Sequence, residues 1–136
     1  MVQFYALSVF VNIIIGSLLC IDEKSETTSF CTRLKHVLEE KGVKFSLGIF
    51  SLIIGLFKIL TPTSGDIPVV GDLVPALSGI ILGAVLLLEF FRAKSDVSSE
   101  TISKIDRVVV QNRKYIGIAG IVAGVLHFLM PGVPFI

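Results

Sequence analysis

Tryptophan is absent from the 136 residues, and cysteine, histidine, tyrosine and methionine occur only twice each. So sparse a set leaves little for chemistry. Cys20 and Cys31 form no CxxC pair, and His36 stands alone beside Cys31, which excludes a zinc cluster and points to two free, reduced thiols. Charge of one sign is not in excess either. The 12 Lys and Arg against 11 Asp and Glu leave a net charge of +1, so nothing in the balance attracts nucleic acid. There is no GxxxxGK loop to cradle phosphate, and among paired carboxylates, a Ser or Cys near a His, or a clustered ligand set, almost nothing qualifies as a catalytic constellation. A non-enzymatic protein without a cofactor or metal is expected.

Apolar side chains are what the sequence has. At 53% hydrophobic residues and a mean hydropathy of +0.87, the chain lies beyond the range of water-soluble domains, and lipid is its expected solvent. Residues 2–21 form a run long enough to cross a hydrocarbon core of about 30 Å, and they lack the basic n-region and small-residue cleavage site of a signal peptide. Further spans are expected over residues 45–60, 73–91 and 115–130. The fold class is therefore all-α, a single transmembrane domain over residues 1–136 built as a four-helix bundle.

Between the spans lie two polar segments, residues 22–44 and 92–114. In the first, Phe30, Leu34, Val37 and Leu38 recur at helical spacing, with Ser29 as N-cap and Gly42 as terminator; in the second, Ile102, Ile105 and Val109 do the same. Each is expected to form a short amphipathic helix. Lys24, Arg33, Lys35, Lys41 and Lys44 fall in the first segment, and Arg92, Lys94, Lys104, Arg107, Arg113 and Lys114 in the second, whereas Lys58 is the only basic residue elsewhere. Both segments are thus expected to be cytoplasmic, in a multi-pass plasma (inner) membrane protein with its N- and C-termini outside.

The stretch from Gly48 to Pro62 recurs from Gly117 to Pro131. Gly48 matches Gly117, Gly55 matches Gly124, Pro62 matches Pro131, and Lys58 stands opposite His127. A tandem duplication of about 70 residues follows, repeat 1 over about 1–68 and repeat 2 over about 71–136. With four spans the two hairpins point the same way, so the repeats are parallel. Gly79 and Gly83, and likewise Gly120 and Gly124, stand in GxxxG spacing, so Gly48, Gly55, Gly79, Gly83, Gly117, Gly120 and Gly124 are the expected helix-packing positions.

The polar candidates are few. Asn12 is an amide in mid-span, expected to bond another helix. Lys58 and His127 share a depth near the outer end, close to Asp66 and Asp72 in the Pro/Gly segment 61–72. They are expected to snorkel separately into the interface, the sharper alternative being one shared vestibule in which His127 gates by protonation. Glu89 should pair with Arg92 and Lys94. The expected partners are the bilayer, further copies of the chain or other membrane subunits. The expected function is an accessory or assembly subunit, and the alternative is a channel or transporter for a small ion or solute along the seam between repeats.

Overall fold

A computed structural model describes residues 2–21, 29–60, 73–94 and 100–129, and these are helical almost throughout, with no strand among them. Five helices follow in order: α1 (Val2–Cys20), α2 (Ser29–Glu39), α3 (Lys41–Leu60), α4 (Leu73–Lys94) and α5 (Glu100–Leu129). The protein is all-α. Met1, the segments 22–28, 61–72 and 95–99, and residues 130–136 lie outside the described residues, and with them Asp66, Asp72, Pro62 and Pro131.

Two helix boundaries differ from the sequence expectation. Gly42 does not end the amphipathic helix. The break falls at Glu40, whose carbonyl accepts from Lys44 N at 2.9 Å, opening α3 at Lys41 with Gly42 in its first turn. A methyl on Gly42 would meet nothing within 4 Å, so this glycine terminates nothing and fills no contact. The second difference is larger. A short helix within the polar segment 92–114 and a separate span over 115–130 are expected from the sequence, and the described residues form one helix instead, the 30-residue α5. A change from polar to apolar composition is not a helix breaker, and neither Gly nor Pro interrupts the chain between Glu100 and Ile116.

The most extensive packing joins α3 to α4 and α1 to α5, with α4 against α5, α1 against α4 and α1 against α3 completing the assembly. Within each of the two main pairs the helices run antiparallel, since Gly48 lies by Gly83 and Gly55 by Ala76, while Gly16 lies by Gly117 and Val9 by Gly124. One half of the interior is an apolar core of Val11, Ile15, Leu18, Leu19, Ile54, Leu82, Val85 and Leu86. The opposite half buries polar groups instead, and these form the candidate site.

The outward surface inverts the usual pattern. Phe10 and Ile14 on α1, Ile53, Leu56 and Phe57 on α3, Leu77 and Ile81 on α4, and Ile118, Val122 and Val125 on α5 are all exposed. Two helices, Lys41–Leu60 and Leu73–Ala93, are long and apolar enough to cross a membrane, while the apolar part of α1, Tyr5–Cys20, is shorter. Phe45, Phe90 and Phe91 cluster where α3 begins and α4 nears its end, with ring centroids 4.8 to 6.3 Å apart.

Candidate functional site

The site is set by a face that α3 and α5 carry in the same spacing. On α3 it is Lys44, Gly48, Ser51, Gly55 and Lys58; on α5 it is Arg113, Gly117, Gly120, Gly124 and His127. Steps of four and three residues keep all five on one side of a helix. Each row places a cation or imidazole at both ends and small residues between them, so the helices can close tightly and bring their terminal groups to a neighbour.

At the C-terminal ends of the two helices these groups meet. Lys58 is 3% exposed and His127 0%, and Lys58 Nζ stands 2.8 Å from His127 Nε2. An ammonium has donors only, so as an ammonium Lys58 donates and His127 Nε2 accepts, which puts the ring proton on Nδ1. Separate snorkelling, the favoured reading of the sequence, is therefore corrected: both side chains turn inward to each other. The small face of α3 packs on α4 and that of α5 on α1, which leaves the ends of α3 and α5 within reach of each other, and both groups also lie in the last turn, where helix dipoles favour a cation.

Tyr5 of α1 completes the cluster. Its hydroxyl donates to the His127 carbonyl at 2.6 Å, taking up one of the acceptors that a helix leaves unbonded at its C-terminus. Its ring lies 4.5 Å from the His127 ring and 5.3 Å from Lys58 Nζ, within cation-π range. Ser8, one turn on, is 3% exposed and donates to the Tyr5 carbonyl at 2.9 Å.

Deeper in, two side chains tie their helices to the backbone of α4. Asn12 Nδ2 donates to the Pro75 carbonyl at 3.1 Å, and Ser51 Oγ donates to the Gly79 carbonyl at 2.6 Å. Asn12 thus bonds across helices as its sequence position suggested. Its Oδ1 is buried without a hydrogen-bond partner and faces the space that a side chain on Gly79 would enter, with 3.5 Å to an added methyl.

The other end carries a separate ionic cluster. Glu89 of α4 accepts from Lys44 Nζ at 2.9 Å and from Arg113 Nε at 2.7 Å, one cation from each flanking helix. On the exposed margin the Cys20 thiol, which forms no disulfide, donates to the Lys114 carbonyl at 3.6 Å. Among the described residues no group of three or more His, Cys, Asp or Glu could hold a metal ion.

The packing glycines divide by what blocks a side chain. An added methyl would lie 2.6 Å from the Gly16 carbonyl oxygen at Gly117, 2.7 Å from the Gly48 oxygen at Gly83, and 2.8 Å from the Ala76 oxygen at Gly55. Backbone cannot yield there. At Gly48 and Gly120 the nearest atoms belong to Leu87 and Leu82 side chains, at Gly124 the nearest is Ile13 Cγ1 at 3.0 Å, and at Gly79 there is ordinary contact.

Tyr5, Ser8, Ser51 and Gly16 escaped the sequence reading, yet a signal was present. Tyr5, Ser8, Asn12 and Gly16 recur at three, four and four residues on a helix that is otherwise almost wholly apolar, which marks a single face.

The chain is similar to an uncharacterized protein of Treponema pallidum (strain Nichols), 32% identical over 130 residues that cover 95% of this chain and 94% of that one. A family model whose description states no function matches residues 1–127. No solved structure matches.

Proposed function

The chain belongs to the family whose model spans its residues 1–127 and is a relative of the Treponema pallidum protein, and on that premise we propose that it is a multi-pass membrane protein acting as an accessory or assembly subunit. The carrying observation is the inverted distribution of side chains: large apolar residues are exposed on all four long helices, while Ser8, Asn12, Ser51, Lys58 and His127 are buried. Lipid satisfies such a surface and water does not. In this reading α1, α3, α4 and the C-terminal half of α5 span the inner membrane, with the Glu89 cluster at the cytoplasmic face and the Lys58–His127 pair near the outer one.

The same reading makes the four spans two parallel hairpins. One shift along the chain carries Gly48, Leu52, Gly55 and Lys58 to Gly117, Ile121, Gly124 and His127, and another carries Val9, Ile13 and Gly16 to Ala76, Ile80 and Gly83. Contacts follow both shifts. Gly83 meets Gly48 and Leu52 as Gly16 meets Gly117 and Ile121, and Gly55 meets Ala76 and Ile80 as Gly124 meets Val9 and Ile13. Equivalent residues that touch each other, as Lys58 and His127 do, sit on the axis relating the halves.

Assembly is favoured over conduction by where the apolar side chains stand outside the spans. Val37 on α2 and Ile105 and Val108 on the polar half of α5 are exposed among charges, surfaces suited to a protein partner or to a second copy. The buried polar column of Ser8, Asn12, Ser51, Lys58 and His127 is the observation that favours a channel, and it stops against the core around Ile15, Leu82 and Leu86. Purified protein in liposomes separates the two. Assembly predicts no flux of protons or small cations above empty vesicles, together with a stoichiometric partner or homo-oligomer after mild detergent extraction; robust flux with no added partner would overturn it.

A further inference from the structure

Beyond the ionic cluster, α4 and α5 part around an open groove of about 420 Å³ whose described lining is Arg92, Ser103, Arg107, Val110 and Gln111. Ser103, Arg107, Val110 and Gln111 fall at four, three and one residue intervals and so share one face of α5, while Arg92 reaches it from the last turn of α4. Two guanidinium groups from different helices thus line one space. A planar guanidinium matches a phosphate with two parallel hydrogen bonds, and the Ser103 hydroxyl and Gln111 amide add uncharged donors.

Depth identifies the form in which that phosphate comes. Arg92 lies three residues past Glu89 and Arg107 six residues before Arg113, which at the helical rise sets them about 4.5 and 9 Å beyond the Glu89 cluster. If that cluster marks the hydrocarbon edge, Arg92 lies within the headgroup layer, which is roughly 5 to 8 Å thick on each side, and Arg107 lies at its outer margin, where the groove opens to water. Val110 and the neighbouring Phe91 are exposed and apolar, a wall against which glycerol and acyl carbons can lie and from which a free anion gains nothing.

We propose that this groove binds the phosphate of an anionic lipid headgroup in the cytoplasmic leaflet. The proposal rests on the membrane reading above, and its ligand chemistry, a phosphate group, is shared with free phosphate. The test uses the full chain in mild detergent, with native mass spectrometry of phosphatidylglycerol and phosphatidylcholine retention and a parallel titration of inorganic phosphate. Wild type is expected to retain phosphatidylglycerol in preference to phosphatidylcholine, and Arg92→Gln/Arg107→Gln to weaken that retention about tenfold or more. Arg33→Gln/Lys41→Gln, which removes the same charge at exposed sites on α2 and α3, should leave retention unchanged. Equal loss in both double variants, or no preference in wild type, overturns the site. Displacement of the lipid by millimolar inorganic phosphate would assign the groove to the free anion and overturn the lipid assignment. Recovery of the protein from the aqueous fraction without detergent would instead overturn the membrane reading, and the phosphate titration would then decide the groove by itself.

Discussion

Gly117→Leu is expected to separate α1 from α5 and leave little folded protein in detergent. The first added carbon already lies 2.6 Å from the Gly16 carbonyl oxygen and 2.9 Å from Leu19 Cβ, and the opposing glycine is blocked in turn, with 2.7 Å from Gly16 to the Gly117 oxygen. Both obstacles are backbone or its immediate branch. Relief requires the helices to move apart along their whole contact, so the cost lies at or above the upper end of the roughly 1–3 kcal/mol usual for overpacking. Gly55→Leu faces the Ala76 oxygen at 2.8 Å and should behave alike, with Gly124→Leu next in severity at 3.0 Å. The contrasts are equally specific. Gly79→Ala meets its nearest atom at 3.5 Å and should be tolerated, and Gly42→Ala, in open space, should stabilise by up to about 1 kcal/mol through helix propensity. Ile118→Leu and Val125→Leu, on the exposed face, should leave thermal stability in detergent unchanged. Equal stability across all these variants would remove close glycine packing from the account.

His127→Phe is expected to destabilise more than Lys58→Met, and the double variant to cost less than the two single losses combined. Phenylalanine withdraws the imidazole acceptor from a buried lysine, and hydrogen bonds to charged groups contribute about 1.5–3 kcal/mol. Methionine at 58 withdraws a donor from a neutral ring nitrogen and not from a charged group, a loss at the lower end of the roughly 1–3 kcal/mol for a buried polar atom. Because each single variant disrupts the same contact, the cycle should return a coupling of about 0.5–3 kcal/mol. Thermal unfolding of the four proteins in one detergent supplies it. Strict additivity would mean that the two side chains stabilise the fold independently, as separately snorkelling groups would.

Much of the fold was legible because a few residue types carry it. Apolar runs bounded by polar segments locate α1 to within one residue, and α3 and α4 to within four at one end of each. The continuity of α5 was misread for a physical reason: hydropathy reports the solvent around a helix, whereas continuity depends on hydrogen bonds that Lys104 or Arg107 maintain as well as Ile118 does. The site was legible in its members and not in its geometry. Asn12, Lys58 and His127 are visible as rare polar residues, but their depth gave no sign of whether they turn inward, and a lysine near a helix end reaches water at little cost. What decides it is the partner on another helix, and the pairing of Lys58 with His127 depends on α3 and α5 arriving at one point. Glu89 makes the same case, since the cations shown to bind it, Lys44 and Arg113, come from two other helices.

The central claim, four spans with both long polar segments on the cytoplasmic side, is tested most directly by the accessibility of single cysteines. In a variant with Cys20 and Cys31 replaced by serine, Ser64→Cys and Ser99→Cys are exposed in turn to a membrane-impermeant maleimide, in right-side-out and in inverted vesicles. The account predicts that position 64 reacts only in right-side-out vesicles and position 99 only in inverted ones. Reaction of both positions from the same side, or recovery of the labelled protein without the membrane, would contradict it.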